Sequence, residues 1–176
     1  MLRGRPAHRW RPALLVSLLC SFVGLGCSST PENVGAVKAD QIVIVKSKHE
    51  MILMANGKPL RTYRVALGKS GGAKERQGDH KTPEGQYVID QKNAQSRFHL
   101  ALHVSYPNAA DRKRAHDAGV DPGGAIMIHG VEPQFAWLGS LQHEVDWTDG
   151  CIAVTNREMD EVWQLVPVGT PVQIKP

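Results

Sequence analysis

Two short segments carry the residues of this chain that are best suited to covalent chemistry. His129-Gly130 ends one apolar run, and Thr148-Asp149-Gly150-Cys151 precedes another. A cysteine attacks as its thiolate, so it needs a base or a cation within hydrogen-bond reach, and a histidine at a strand end can supply it. Gly150 permits a tight turn that can aim the Cys151 N–H at a developing oxyanion. The spacing alone makes this pair one candidate among several.

Cys151 is also the only cysteine of the predicted folded part, because Cys20 and Cys27 belong to an apolar N-terminal stretch. A lone thiol is a liability in an oxidising compartment unless it is buried or used. The alternative to a nucleophile is a small buried hydrophobe. A catalytic Cys151 is expected to react with alkylating agents at mildly acidic pH, whereas an inert buried thiol is not.

These segments resemble the signature of the L,D-transpeptidase catalytic (YkuD) domain family of bacterial cell-wall enzymes. That signature is a strand-borne His-Gly, a loop, and then Ser/Thr-His-Gly-Cys followed by an apolar residue. Further matches follow in family order: Asn56-Gly57, Val65 to Gly68, Gly78-Asp79, Thr82 to Tyr87, and Gly169 to Val172. The resemblance covers nearly all of the chain after Asp40, which makes it more specific than one His/Cys pair.

The resemblance implies an activity and a set of roles. Cys151 would be the acyl-accepting nucleophile and His129 its general base and acid. Gly150 and the turn around it would form the oxyanion hole, with Thr148, Asp149 and Gly130 in support. The implied substrate is a peptidoglycan stem peptide, attacked after the L-centre of a diaminopimelate residue with release of the terminal D-residue. Transfer of the acyl group to an amine gives a crosslink and transfer to water gives hydrolysis, and neither needs a cofactor.

The chain departs from the family pattern at two positions. Asp149 replaces the histidine before Gly-Cys, and Ala153 replaces an arginine that could bind a carboxylate through two parallel hydrogen bonds. Asp149 can accept a hydrogen bond that orients His129, or it can hold the turn. The run from Trp147 to Asn156 resembles the branch that includes the amidase detaching Braun's lipoprotein from peptidoglycan. Hydrolysis of a peptidoglycan–lipoprotein linkage is therefore an alternative function, and a non-catalytic cell-wall binding module is a third.

The hydrophobic pattern of the sequence predicts the strands and helices that must position these residues. Alternating or β-branched runs predict eight strands near residues 41–46, 51–55, 62–67, 86–90, 98–105, 126–129, 151–154 and 172–174. Helices are predicted at 107–118 and from Asn156 to Val166, and the glycine-rich segment 69–81 is predicted to be a mobile surface loop. Residues 40–176 are thus expected to form a single, mainly β, sandwich-like domain. The resemblance implies that this domain is an L,D-transpeptidase-like catalytic β-sandwich with two short peripheral helices.

The N-terminus has the pattern of an export signal. Four arginines precede the apolar run from Ala13 to Gly26, which ends at Cys27. Residues 1–27 are interpreted as a signal peptide of the lipoprotein type with Cys27 lipidated, and residues 28–39 as a tether. The alternative is an ordinary signal with an incidental cysteine. This interpretation predicts a periplasmic or cell-envelope protein that meets the membrane only through its lipid anchor.

Composition excludes several other classes. With 41% hydrophobic and 22% charged residues, the chain is neither a disordered polymer nor a polytopic membrane protein. Four of its 21 basic residues lie in the first eleven positions, which leaves 17 basic against 17 acidic residues in the rest and argues against nucleic-acid binding. Five histidines lack zincin spacing or paired cysteines, so no metal site is predicted: His80, His99, His103, His129 and His143. Trp137 and Trp147 can stack on substrate or cover the core.

Overall fold

The computed structural model describes Met1 and residues 37–176 of the chain. The predicted signal peptide, its lipidation site Cys27 and nearly all of the predicted tether lie outside the described residues. No helix within residues 37–176 is long and apolar enough to cross a membrane. Ordered packing is already present at Ala39, which is buried and donates its N–H to Leu165 O at 2.9 Å.

Eight strands form one continuous sheet. In chain order they are β1 Gln41–Val45, β2 Glu50–Ala55, β3 Lys58–Arg64, β4 Gly85–Ser96, β5 His99–Val104, β6 Met127–His129, β7 Ile152–Ala153 and β8 Pro171–Lys175. Their order across the sheet is β3-β2-β1-β8-β4-β5-β6-β7. The antiparallel meander β1 to β3 agrees with the hairpin predicted at Asn56-Gly57. The pairings β1–β8 and β6–β7 are parallel.

The sheet curls, so that its two halves share one hydrophobic core. Strand β4 joins the halves because its first part pairs with β8 and its second part with β5. Side chains alternate between the two faces of each strand, and every second one points into the core. Ile42 lies opposite Leu53 and Ile44 opposite Met51, and all four are fully buried. Each such side chain contributes about 1.5–3 kcal/mol on burial. The predicted mainly β single domain is confirmed, with the sandwich formed by one curled sheet.

Two α-helices flank the sheet, as predicted. Helix α1 spans Ala109–Asp117 and helix α2 spans Asn156–Leu165. Both begin with a capping box, Asn108 with Asp111 in α1 and Thr155 with Glu158 in α2, which satisfies backbone N–H groups that have no partner within the helix. Short 3₁₀ helices occupy Lys46–Lys48 and Pro133–Glu144, the second with a kink at Gly139.

Strands β3 and β4 differ most from the sequence prediction, and β3 begins at Lys58 rather than at residue 62. Strand β3 ends at Arg64 rather than continuing through Leu67. The apolar residues after it are buried against the site segment instead: Ala66 exchanges two backbone hydrogen bonds with Ala153, at 3.0 and 2.9 Å. Strand β4 continues to Ser96, well past the predicted end at Asp90, because backbone pairing with β5 persists where the side chains turn polar.

Candidate active site

His129 is the last residue of β6, and its ring is almost completely buried, with 3% of the residue exposed. Its Nδ1 donates a hydrogen bond to Gly130 O at 2.6 Å, which leaves the lone pair on Nε2. The rings of Phe98 and Trp147 pack against it, with centroids at 4.6 and 5.8 Å. Burial lowers the pKa of His129, outweighing the opposing hydrogen bond to Gly130. The side chain is therefore a neutral, oriented base at neutral pH.

Gly130 permits the close approach of α2 to this strand. A Cβ at this position would overlap Asn156 Oδ1 and lie 3.1 Å from Phe98 O. The Asn156 side chain accepts a hydrogen bond from Val131 N at 2.7 Å, so its position is fixed. Gly130 therefore supports His129 through packing.

Thr148 organises the turn that precedes Cys151. Its Oγ1 donates to Cys151 O at 2.8 Å and accepts from Gly150 N at 3.1 Å. The backbone of Thr148 also bonds to Leu67 and Lys69, which anchors the turn to the segment after β3. The Gly150 N–H is thus already paired, whereas the Cys151 N–H has no partner among residues 37–176 and Met1. Gly150 therefore shapes the turn, and the Cys151 N–H is available as the donor of the oxyanion hole, which stays a prediction.

We expect Gly150→Ala to lower the free energy of unfolding by about 3 kcal/mol. Gly150 has φ of 122°, and a Cβ there would lie 2.6 Å from Lys81 O and 3.2 Å from the Ile126 side chain. Urea unfolding measures the loss. Gly71→Ala is the matched control, because a Cβ at Gly71 meets nothing within 4 Å, and its stability should stay within about 0.5 kcal/mol of wild type. Equal stability of the two variants would contradict this account of the turn.

Cys151 lies immediately before β7, and its Sγ is 3.6 Å from Ala125 O. Burial raises the pKa of its thiol, while the Met127 N–H and Lys74 act in the opposite direction. The raised pKa argues against the expectation that Cys151 reacts with alkylating agents at mildly acidic pH, which stays a prediction. The resting site combines a neutral thiol with a neutral imidazole, which favours proton transfer to His129 during attack over a preformed ion pair.

The raised thiol pKa predicts that alkylation of Cys151 requires more alkaline pH than alkylation of a free thiol. The rate of iodoacetamide modification should still be rising with pH where that of glutathione, measured in parallel, has levelled off. The assay is a mass-spectrometric time course at several pH values. A Cys151 profile that levels off at lower pH than glutathione would show that a thiolate is already formed at rest.

The parallel pairing of β6 with β7 brings the backbones of His129 and Cys151 to neighbouring strands. Ile128 lies opposite Ile152, and both side chains are buried in the core. His129, one residue from this pair, therefore points to the other face, and Cys151 directly precedes β7 on the neighbouring strand. This arrangement can support attack by sulfur with a histidine as proton acceptor.

Asp149 does not pair with His129. Its Oδ1 lies 2.9 Å from Lys69 Nζ and 2.8 Å from His80 Nδ1, both on the loop after β3. Lys69 first, and His80 in addition, lower the pKa of this exposed carboxyl. Of the two roles left open by the sequence, the structure supports holding the turn.

The loop 69–81 is tied down by a buried ion pair that the sequence did not indicate. Lys74 and Asp79 lie 2.8 Å apart, with only 4% and 7% of their side chains exposed. Asp79 also accepts hydrogen bonds from the backbone N–H groups of Glu75, Arg76 and Lys81. Burial by itself would raise the pKa of Asp79, but these donors outweigh it and hold the pKa well below its usual range. The segment 69–81, which was expected to be mobile, is instead held in place by these hydrogen bonds and lies beside Gly150.

We expect Asp79→Asn to cost about 3 kcal/mol of stability at neutral pH, because it leaves the Lys74 charge buried and unpaired. The folded pKa of Asp79 lies below its unfolded value, so its contribution is complete above the ordinary aspartate pKa and is lost as pH falls through the folded pKa. Denaturant unfolding measures both. The control Asp117→Asn, in an exposed pair with Lys113, should change stability by less than about 0.5 kcal/mol. A comparable effect of both substitutions would contradict a buried-charge origin.

Two further histidines and two tryptophans singled out in the sequence lie outside any metal site. His99 pairs with Asp160 and His103 with Asp90, each at 2.6 Å. Within residues 37–176, no group of three or more His, Cys, Asp or Glu side chains is arranged to hold a metal ion. Trp147 covers His129, whereas Trp137 is 77% exposed.

Comparisons with known proteins identify the family of this chain. A family model described as YkuD, the L,D-transpeptidase catalytic domain, matches residues 39–174. The candidate L,D-transpeptidase YafK of Escherichia coli K12 is 34% identical over 110 residues, or 61% of this chain and 37% of that protein. The candidate L,D-transpeptidase YqjB of Bacillus subtilis 168 is 27% identical over 161 residues, or 89% and 83%.

Solved structures share the fold. The helical cell shape determining protein Pgp2 of Campylobacter jejuni is similar with a TM-score of 0.60 at 24% identity, over 80% of this chain and 49% of that one. Bd1075 of Bdellovibrio bacteriovorus gives a TM-score of 0.55 at 24% identity, over 81% and 49%. The chain spans 37% of the length of YafK and about half of each of these two solved chains.

Proposed function

The chain belongs to the YkuD family of L,D-transpeptidase catalytic domains, and on that premise we propose that it is an exported enzyme that acts on peptidoglycan stem peptides through a Cys151 thioester. The observation that carries the proposal is the fixed tautomer of His129. Its Nδ1 donates a hydrogen bond to Gly130 O, which leaves the Nε2 lone pair to accept a proton, and its strand pairs with the strand that Cys151 directly precedes.

The proposed first half-reaction forms a thioester. His129 Nε2 accepts the thiol proton as Sγ attacks the carbonyl carbon of the peptide bond, and the Cys151 N–H donates to the resulting oxyanion. The carbon–nitrogen bond then breaks, and the leaving amine takes the proton from His129. In the second half-reaction an amine or a water molecule attacks the thioester carbonyl carbon and loses its proton to His129. The carbon–sulfur bond then breaks, and the sulfur takes that proton from His129, which restores the thiol.

The fate of the acyl group is the point that separates the alternatives. Ala153 supplies no cation for a substrate carboxylate. The carboxylate of the stem peptide that donates the acyl group would therefore have to bind other residues. We propose cell-wall crosslinking or remodelling as the activity. Hydrolysis of a peptidoglycan–lipoprotein linkage and non-catalytic cell-wall binding are the two competing outcomes of the experiment.

The test incubates wild-type and Cys151→Ala protein with sacculi that carry bound lipoprotein, and identifies released and remaining muropeptides by mass spectrometry. New crosslinks or exchanged terminal residues that vanish in Cys151→Ala support transpeptidation. Freed lipoprotein without new bonds supports the amidase. Cell-wall products that are identical for the two proteins would overturn the enzymatic proposal in favour of a binding module.

We also propose that the protein lies in the periplasm or cell envelope and is anchored by a lipid at Cys27. The support is the basic stretch and apolar run that precede Cys27. Metabolic labelling with a fatty acid should mark the wild-type chain and not Cys27→Ser. Equal labelling of both proteins, or of neither, would contradict the anchor.

A further inference from the structure

A single peptide unit lies between the proposed base and helix α2. It joins Gly130 to Val131 and takes part in a hydrogen bond at each end. Its carbonyl oxygen, Gly130 O, accepts from His129 Nδ1 at 2.6 Å, and its N–H, on Val131, donates to Asn156 Oδ1 at 2.7 Å. Because a peptide unit is planar, its carbonyl and its N–H turn together. The His129 ring and the Asn156 side chain are therefore connected through one rigid group.

This peptide unit is buried, so its N–H needs a partner within the protein. Gly130 is buried and Val131 is only 5% exposed. Asn156 Oδ1 is the acceptor that this N–H has in the structure. A buried N–H without an acceptor costs about 1–3 kcal/mol. Without Asn156 the peptide unit would be stabilised by turning toward another acceptor, and its carbonyl would turn away from His129 with it.

Asn156 is suited to holding the peptide unit because its own backbone is fixed. It is the first residue of α2 and directly follows the N-cap Thr155, which the capping box links to Glu158 by hydrogen bonds. The side chain of Asn156 also fits closely, since a Cβ on Gly130 would overlap its Oδ1. The acceptor is thus held by a capped helix terminus that packs directly on the peptide unit.

The direction of the Gly130 carbonyl decides which ring nitrogen of His129 carries the proton. While Gly130 O accepts from Nδ1, the proton stays on Nδ1 and Nε2 keeps its lone pair. If the carbonyl turned away, Nδ1 would lose its acceptor and the proton would be free to move to Nε2. A histidine with its proton on Nε2 cannot accept the thiol proton there.

We propose that Asn156 is a positioning residue for His129, which acts through the Gly130–Val131 peptide unit to keep the ring proton on Nδ1. Asn156 takes no part in bond making or proton transfer. The effect on the His129 tautomer follows from the hydrogen bonds alone, whereas the effect on turnover rests on the proposed function. The competing role is purely structural, in which Asn156 only attaches α2 to the strand that carries His129.

The test reads the tautomer of His129 by ¹⁵N NMR at neutral pH, in histidine-labelled protein whose signals are assigned with His129→Gln. Asn156→Leu removes the acceptor and fills a similar volume. We expect the ring proton to move from Nδ1 toward Nε2, and kcat to fall by about 10–100-fold with KM changed less than about twofold. Asn156→Asp keeps an oxygen acceptor at the same position, so it should retain the wild-type tautomer and a kcat within about threefold of wild type.

Arg157→Leu is the matched control, because Arg157 is the next residue of α2 and is exposed. This variant should keep the tautomer and the kcat of the wild-type protein. A folded Asn156→Leu protein with the wild-type tautomer would overturn the proposal, and a fall in its turnover would then show a purely structural role. Should Asn156→Leu not fold, the tautomer is read in Asn156→Ala, which adds no volume, and an unmoved proton there would equally overturn the proposal.

The two readouts separate this inference from the proposed function. A moved ring proton in Asn156→Leu, together with turnover that does not depend on Cys151, counts only against the proposed function. An unmoved ring proton alongside Cys151-dependent turnover counts only against the positioning role of Asn156.

Discussion

Stem-peptide turnover by the Cys151→Ala variant is expected to fall by about 10⁴-fold or more, because the substitution removes the atom that forms the acyl bond. Alanine fits at this position, which is half-buried beside a two-residue strand, so thermal unfolding should stay within a few degrees of wild type. The measurement is release of the terminal residue from a stem peptide, followed by mass spectrometry.

Cys151→Ser sharpens this expectation. The hydroxyl occupies nearly the same space but holds its proton far more tightly, so His129 cannot activate it to the same degree. We therefore expect turnover close to that of the alanine variant. Turnover within tenfold of wild type in a folded Cys151→Ala protein would remove Cys151 from the mechanism.

Replacing His129 with glutamine should lower turnover by about 10²–10⁴-fold, since glutamine retains hydrogen bonding but cannot accept a proton. His103→Gln is the matched control: His103 lies on neighbouring β5 in an ion pair with Asp90, and this variant should keep its activity. The double variant Cys151→Ala, His129→Gln should be no slower than Cys151→Ala, because the two groups act as a unit. Additive losses would contradict a shared step.

The same pair sets the pH dependence of turnover. His129 must be neutral to accept the proton, and its pKa is lowered by burial, so the acid limb should lie below the pH at which an ordinary histidine titrates. The thiol pKa is raised, so the neutral pair should persist across the neutral range. The His129→Gln variant should lose the acid limb. An acid limb that survives in this variant would assign it to another group.

Hairpin turns and helix caps could be predicted from the sequence, because each depends on residues that are close together in the chain. The hairpin at Asn56-Gly57 and the capping boxes of both helices depend on residues within a few positions of each other. The expectation that His129 acts with Cys151 came from a family signature, and the pairing of β6 with β7 brings their backbones to neighbouring strands.

Long-range pairings and buried charges were not predictable in the same way. The second half of β4 is polar, so its pairing with β5 leaves no hydrophobic alternation to detect. The Lys74–Asp79 pair is buried by neighbours distant in sequence, and composition alone suggested a solvated loop. The direction of the Cys151 pKa shift likewise depends on burial, which outweighs the hydrogen bond from the Met127 N–H and the charge of Lys74.

The account's central claim is a thioester on Cys151, and intact-protein mass spectrometry after acid quenching tests it most directly. Wild-type protein mixed with a stem peptide should gain the mass of that peptide less its terminal residue, hydroxylamine should remove the added mass, and Cys151→Ala should show none. Turnover without any adduct on Cys151, or an adduct that forms equally on Cys151→Ala, would contradict the account.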